Sequence, residues 1–263
     1  MKTGHRHAGV RSIDYFAYAS RLNGWNAGFK VLFSCVTLVF CIAANDPWLA
    51  VFLFAAMGFL TVGMGGLPLR DYGALLSIPA AFLLLSGLTL ACNVSWTPQG
   101  DFCLSLHWFY LYINRADAWE ALRLLVKAFG AVSAMYFMTL TTPACEIVGV
   151  LRKIHTPKLV IELMYLIYRF IFILLDVQGR MRAAAESRLG YRDLRTSLRS
   201  FGGIGGNLLV LSMGKANTYY DAMVSRCYTG EMRFLEPEKP ATPRQWLCAG
   251  LVWMIGLAIW WLL

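Results

Sequence analysis

Two short segments near the C-terminal end hold the residues best suited to grip another molecule. One is Ser187-Arg188-Leu189-Gly190-Tyr191, closing an Ala-rich run that begins at Met181; the other is Ser225-Arg226-Cys227-Tyr228, followed by Gly230. Each reads small-Arg-X at the end of a helix-like stretch. A guanidinium is a permanent cation with a rigid fork of donors, suited to carboxylates and carbonyls on a partner. At a helix C-terminus the same group also complements the dipole and attracts anionic lipid heads. The arginines alone leave both uses open.

Motifs for covalent chemistry are absent from the sequence. There is no GxxxxGK[ST] phosphate loop, HExxH or GxSxG, and Gly202-Gly203-Ile204-Gly205-Gly206 lacks the lysine and the preceding strand of a nucleotide loop. That run is expected to be a flexible connector between two helices. The histidines are His5, His7, His107 and His155; His5 and His7 form the one close pair, with no acidic or Cys neighbour to complete a metal site. Seven scattered cysteines form no CxxC pair and imply neither a disulfide framework nor zinc. Asp14, Glu146, Glu162, Asp176 and Glu186 are available acids, and a membrane enzyme acting on a lipid or prenyl substrate would need several of them to converge. A structural membrane adaptor, with its basic block against phospholipid, is a further alternative.

The elements that must position these residues lie mostly in a membrane. Of 263 residues 58% are hydrophobic and only 15% charged, against about 25% charged in soluble domains. The net charge of +9 could suggest nucleic acid, but its distribution does not. Five Lys and Arg lie in residues 1–30, one at Arg70, three in 115–127 and fifteen in 152–244, with none around 44–48 or 94–114. This is the positive-inside pattern, and it places the N-terminus inside with a large cytosolic segment late in the chain.

In chain order, residues 1–30 form a cytoplasmic or interfacial lead-in. Its aromatic residues and Lys30 suit the headgroup region, with Asp14, Asn26 and Lys30 available as anchors to neighbouring helices. Spans are expected over about 31–44, 48–66, 72–92 (with Pro79 as a kink) and 116–141. An external loop covers 93–115. Arg123 and Lys127, four residues apart, form a charged pair on one face of the fourth span. Such charges face protein or water rather than lipid, as an interhelical anchor or part of a transport path. Residues 143–154 read as a short amphipathic helix, broken at His155-Thr156-Pro157. A long helix follows from Lys158, containing Glu162 and Arg169 and either inserted or peripheral over 159–175. A second helix is expected from about Asn207 to Tyr228. A linker and a last span occupy 237–263, so that the C-terminus lies outside. The expected class is an all-α polytopic membrane bundle, 31–142, with a cytoplasmic two-long-helix domain over 143–236.

Leu140-Thr141-Thr142-Pro143, Thr156-Pro157-Lys158, Tyr168-Arg169-Phe170-Ile171, Arg180-Met181-Arg182-Ala183 and the two Ser-Arg segments resemble the T component of energy-coupling factor transporters, most closely its cobalt-type branch. The specific likeness covers about 140–230. It implies a membrane scaffold, not itself an enzyme, that links two cytosolic ABC-type ATPases to a separate membrane substrate-binding, metal-capturing subunit in the inner membrane. The resemblance places ATPase docking on Ser187, Arg188, Leu189, Ser225, Arg226 and Cys227, with Arg169, Tyr191 and Tyr228 as supports of the coupling helices. ATP would be held by the partners, and this chain would bind no cofactor, no metal and no nucleic acid. The family motif is of Ala-Arg-Gly type; here Ser replaces Ala twice, and Leu and Cys replace Gly.

Overall fold

The computed structural model describes residues 13–44, 46–91, 93–95, 102–106, 109–230 and 239–262. These divide into two compact units, one of residues 1–147 with 237–263 and the other of residues 148–236. His5, His7 and His107 lie outside the described residues.

The first unit begins with a short helix α1 (Ile13–Ala19) and a 3-10 turn over Arg21–Gly24. Four long helices follow: α2 (Ala27–Ala44), α3 (Pro47–Phe59, continued by a π-helical turn over Leu60–Met64), α4 (Leu69–Ala91) and α5 (Arg115–Thr141). All four are long and apolar enough to cross a membrane. Pro47 opens α3 behind Asp46, where its missing N–H costs nothing. Helix α4 runs through Pro79, and along it only Tyr72 is buried. Its Ile78, Phe82, Leu85 and Leu88 lie exposed, as a lipid-facing surface requires.

The remaining helix of this unit, α9 (Pro243–Leu262), packs on α2 and α3. Helix α5 lies against α1, α2, α3 and α4. The core joins Phe33, Leu49, Leu53, Met57, Ala134 and Phe137, with the Phe33 ring edge-on to Phe137 at 5.7 Å. Gly130 permits the close approach of α5: a Cβ there would stand 3.0 Å from both the Ala50 carbonyl oxygen and the Cys41 Sγ. Several polar side chains within the bundle find partners inside it, where an apolar solvent offers none. The Tyr72 and Ser133 hydroxyls are 3.1 Å apart, and Trp253 Nε1 donates to Thr37 Oγ1 at 3.1 Å.

Two expectations for this unit change. The segment read as an external loop holds a small antiparallel sheet of β1 (Asn93–Ser95), β2 (Phe102–Leu106) and β3 (Phe109–Ile113), in the order β1-β3-β2. Aromatic and β-branched residues dominate Phe109–Ile113, and such residues suit the paired central strand. Lys30, read both as a headgroup lysine and as an anchor to neighbouring helices, is wholly buried within α2, which leaves the anchor reading. Its Nζ donates to the carbonyls of Thr141 at 2.7 Å and Leu22 at 3.3 Å. The span therefore starts at Ala27, inside the supposed lead-in, and Lys30 serves as an anchor between segments.

The second unit contains most of α6 (Ala144–Lys153) and a pair of long helices, α7 (Lys158–Ser187) and α8 (Leu194–Val224). Pro157 sets the start of α7. The glycine run at 202–206 is no connector: it lies within α8, a single helix of 31 residues. Each interior glycine costs about 1 kcal/mol relative to alanine. No proline interrupts 194–224, so cooperative extension from both sides carries the helix across. The true connection is the short turn after Ser187.

The two helices run antiparallel. Glu162 of α7 meets Tyr228 just beyond α8, the Phe170 ring meets the Tyr219 ring at 4.9 Å, and Ser200 of α8 reaches Gly190 in the turn.

Candidate docking site

The ends of α7 and α8 are the same local structure built twice. At the first, the Leu189 N–H donates to the Glu186 carbonyl at 3.1 Å and the Gly190 N–H to the Ala185 carbonyl at 2.8 Å. At the second, the Cys227 N–H donates to Val224 at 3.0 Å and the Tyr228 N–H to Met223 at 3.1 Å. This pair of bonds is the Schellman arrangement, which requires a left-handed residue just past the cap. That residue is Leu189 (φ 57°) in one case and Cys227 (φ 61°) in the other. A left-handed conformation costs a side-chain-bearing residue roughly 1–2 kcal/mol and glycine almost nothing. The position is the one where the family motif has Gly, so the Leu and Cys departures are conformationally costly but keep the shape.

The serines match as well. Ser187 Oγ donates to the Ala184 carbonyl at 2.9 Å, and Ser225 Oγ to the Ala222 carbonyl at 3.0 Å. Both bonds return to the helix and satisfy carbonyls its end would leave open. Arg188 and Arg226 occupy the cap itself, and both are exposed. Among the described residues neither guanidinium enters a salt bridge or hydrogen bond. Two chemically equivalent cationic forks are thus held out on structured helix ends.

Antiparallel packing sets these ends far apart. Tyr228, two residues past Arg226, contacts Glu162; about 26 residues of α7 then separate Glu162 from Arg188, about 40 Å at 1.5 Å per residue.

Each end has its own bracing. Tyr228 donates through its hydroxyl to Glu162 Oε2 at 2.8 Å, and this bond to a carboxylate raises the phenol above its ordinary pKa near 10. At the other end Ser200 Oγ donates to the Gly190 carbonyl at 2.8 Å, and the Arg182 guanidinium lies over the Tyr191 ring at 5.8 Å. Midway, Arg169 lies over the Tyr219 ring at 5.1 Å. The structure therefore gives each of the residues read as helix supports, Arg169, Tyr191 and Tyr228, a contact that ties one part of the helix pair to another. Glu162, Arg182 and Tyr219 complete those contacts, Ser200 braces the turn at Gly190, and none of the four was singled out as a support in the sequence. Glu162 stood out there as a charge in an apolar stretch and as one of the available acids.

Arg123 and Lys127 belong to the other compact unit. Arg123 stacks over Trp119 of its own helix at 5.5 Å, and the backbone carbonyl of Lys127 receives the Cys41 thiol at 3.7 Å.

The acids that a membrane enzyme would need do not converge. Glu146 pairs with Lys239 and Lys30, Glu162 with Tyr228, Asp176 with Arg180 and Glu186 with Arg182. Among the described residues no three His, Cys, Asp or Glu side chains gather as metal ligands would.

The chain is 30% identical over 234 residues to a putative fused cobalt transport protein CbiMQ of Methanocorpusculum labreanum, covering 88% of this chain but only 39% of that longer protein. It is 27% identical over 251 residues to the cobalt transport protein CbiQ of Rhodobacter capsulatus, covering 95% and 96% of the two chains. An uncharacterised protein of Methanocaldococcus jannaschii is 27% identical over 227 residues, covering 85% of this chain and 83% of that one. The family profile described as CbiQ, cobalt transport protein, matches residues 19–235. With four apolar helices long enough to span a bilayer and a match over most of its length, this multi-pass membrane protein belongs to the CbiQ cobalt transport protein family.

Proposed function

We propose that the chain is the coupling subunit of an energy-coupling factor ABC transporter that takes up a transition metal, cobalt by family. Its α7–α8 pair receives two cytosolic ATPase subunits, one at Ser187-Arg188-Leu189 and one at Ser225-Arg226-Cys227. ATP binding and hydrolysis belong to those subunits, and the metal is captured by a separate membrane protein. The observation that carries this reading is the duplicated cap: one backbone geometry, one serine contact and one exposed arginine at each of two distant helix ends. A pair of like ATPases needs two like handles. Closure of that pair would move the two handles, and the long apolar stretches of α7 and α8 would pass the shift to the membrane partner. The protein sits in the cytoplasmic membrane, with the N-terminus and residues 143–236 inside and α9 carrying the C-terminus outside.

The test is purification from mildly solubilised native membranes, wild type beside Arg188→Ala/Arg226→Ala. An ABC-type ATPase should accompany the wild type and be lost from the double variant. A wild type that brings down no ATPase would sink the docking reading.

A further inference from the structure

Outside the helix ends, a polar cluster of several hydrogen bonds gathers around Lys239, just ahead of α9. Its Nζ donates to Glu146 Oε1 at 2.5 Å, the Asn23 carbonyl at 2.5 Å and Asn23 Oδ1 at 3.1 Å. An ammonium has three donors, and here all three are engaged. The backbone is held too, because Asn26 Nδ2 donates to the Lys239 carbonyl at 2.6 Å. Glu146, in the first turn of α6, turns its other oxygen inward. Oε2 is buried without a hydrogen-bond donor among the described residues and faces the buried Lys30 at 3.9 Å. One carboxylate thus stands between two ammonium groups, one of them wholly buried.

The segment that receives Lys239 is itself fixed. The Arg21 N–H and Ser20 Oγ both donate to the Gly65 carbonyl, at 3.0 and 3.2 Å, fastening residues 20–26 to the turn between the second and third spans. Lys30 continues the linkage to the end of α5 through Thr141.

Position along the chain gives the cluster its meaning. The second compact unit is residues 148–236. Glu146 stands two residues before it begins, and Lys239 three residues after it ends. The chain enters and leaves that unit at these two points alone, and a single ion pair ties the points together.

We propose that Glu146 and Lys239 form the fulcrum of coupling. They are positioning residues that hold both chain connections of the helix pair to one spot on the membrane bundle, so that a push on the docking arginines is delivered to the bundle instead of being lost in independent movement of two tethers. The inference rests on the coupling reading above and adds to it the pair through which force enters the membrane part.

The experiment uses the complex of this protein with its ATPases and membrane partner, reconstituted in proteoliposomes. ATP hydrolysis and uptake of radiolabelled Co²⁺ are measured together for wild type, Glu146→Gln, Lys239→Met and Lys239→Arg. Glu146→Gln and Lys239→Met should keep ATPase association and hydrolysis while Co²⁺ taken up per ATP falls about fivefold or more, the low end of measured coupling free energies. Lys239→Arg, which retains the charge and several donors, should recover most of the ratio. An unchanged ratio in the first two variants overturns the fulcrum. Uptake and hydrolysis falling in step with loss of the assembled complex also overturns it, because the pair would then be serving only folding. A wild type that recruits no ATPase removes the coupling reading itself, and the fulcrum with it.

Discussion

Leu189 and Cys227 occupy a backbone region that residues with side chains seldom adopt, and they do so at matching positions of two helix ends. Leu189 is 67% exposed, so little burial offsets the conformational cost. Leu189→Gly should therefore raise the melting temperature of the detergent-solubilised protein, corresponding to about 1 kcal/mol at the cap. An unchanged or lower value would mean that the left-handed cap does not persist in solution. The Ser-Arg pairs themselves were legible in the sequence because small-Arg-X recurs with helical sequence before it. The left-handed third residue was not, since neither Leu nor Cys advertises it; the single clue was Gly190, one position on. The headgroup placement of Lys30 failed for a related reason, while its reading as an anchor holds. A lysine at the edge of an apolar run reads as snorkelling, and only tertiary contact reveals that two backbone carbonyls and a carboxylate await it inside.

At the scale of elements, the turn after α7 is the tightest requirement of the helix pair. A Cβ on Gly190 would stand 2.7 Å from Ser200 Oγ and 2.8 Å from the Ala185 carbonyl oxygen, the acceptor of Gly190's own N–H. Gly190→Val should open this cap at a cost of about 1–3 kcal/mol, the usual range for overpacking. The expected signs are a lower melting temperature and faster protease cleavage within 188–193, with cleavage near 226 unchanged. Equal protection of both sites in the variant would show that the turn tolerates the side chain. Hydropathy located the spans to within a few residues, because bilayer thickness leaves little freedom in their length. It failed where composition and cooperativity disagree: the glycines of α8 look like a hinge residue by residue, yet helix on both sides keeps them in register. The aromatic segment after α4 was read by its turn residues, and its strand content went unseen.

On the scale of the whole molecule, the topology proposed rests on the charge distribution and on counting α9 with the four candidate spans. Epitope tags at the two ends test it. In intact cells the C-terminal tag should be reached by antibody from outside, after removal of any outer layer, and the N-terminal tag only after permeabilisation. Both tags on one side would remove either α9 or one of α2, α3, α4 and α5 from the membrane. Overall class and span order were legible because each follows from solvent transfer, which acts on composition. The clustering of Asn23, Glu146 and Lys239 was not, because their contacts join segments more than ninety and two hundred positions apart.

Antiparallel packing of α7 and α8 has a further consequence. Two helices that run in opposite directions, each finished by the same cap, are exchanged by a local twofold axis perpendicular to the pair. The chain carries one copy of each helix, yet the surface proposed for docking has two like ends related by that axis. A partner assembled as two equal halves can therefore meet equivalent contacts on both sides while this subunit remains single, leaving the rest of its surface free to be as asymmetric as its membrane neighbours require.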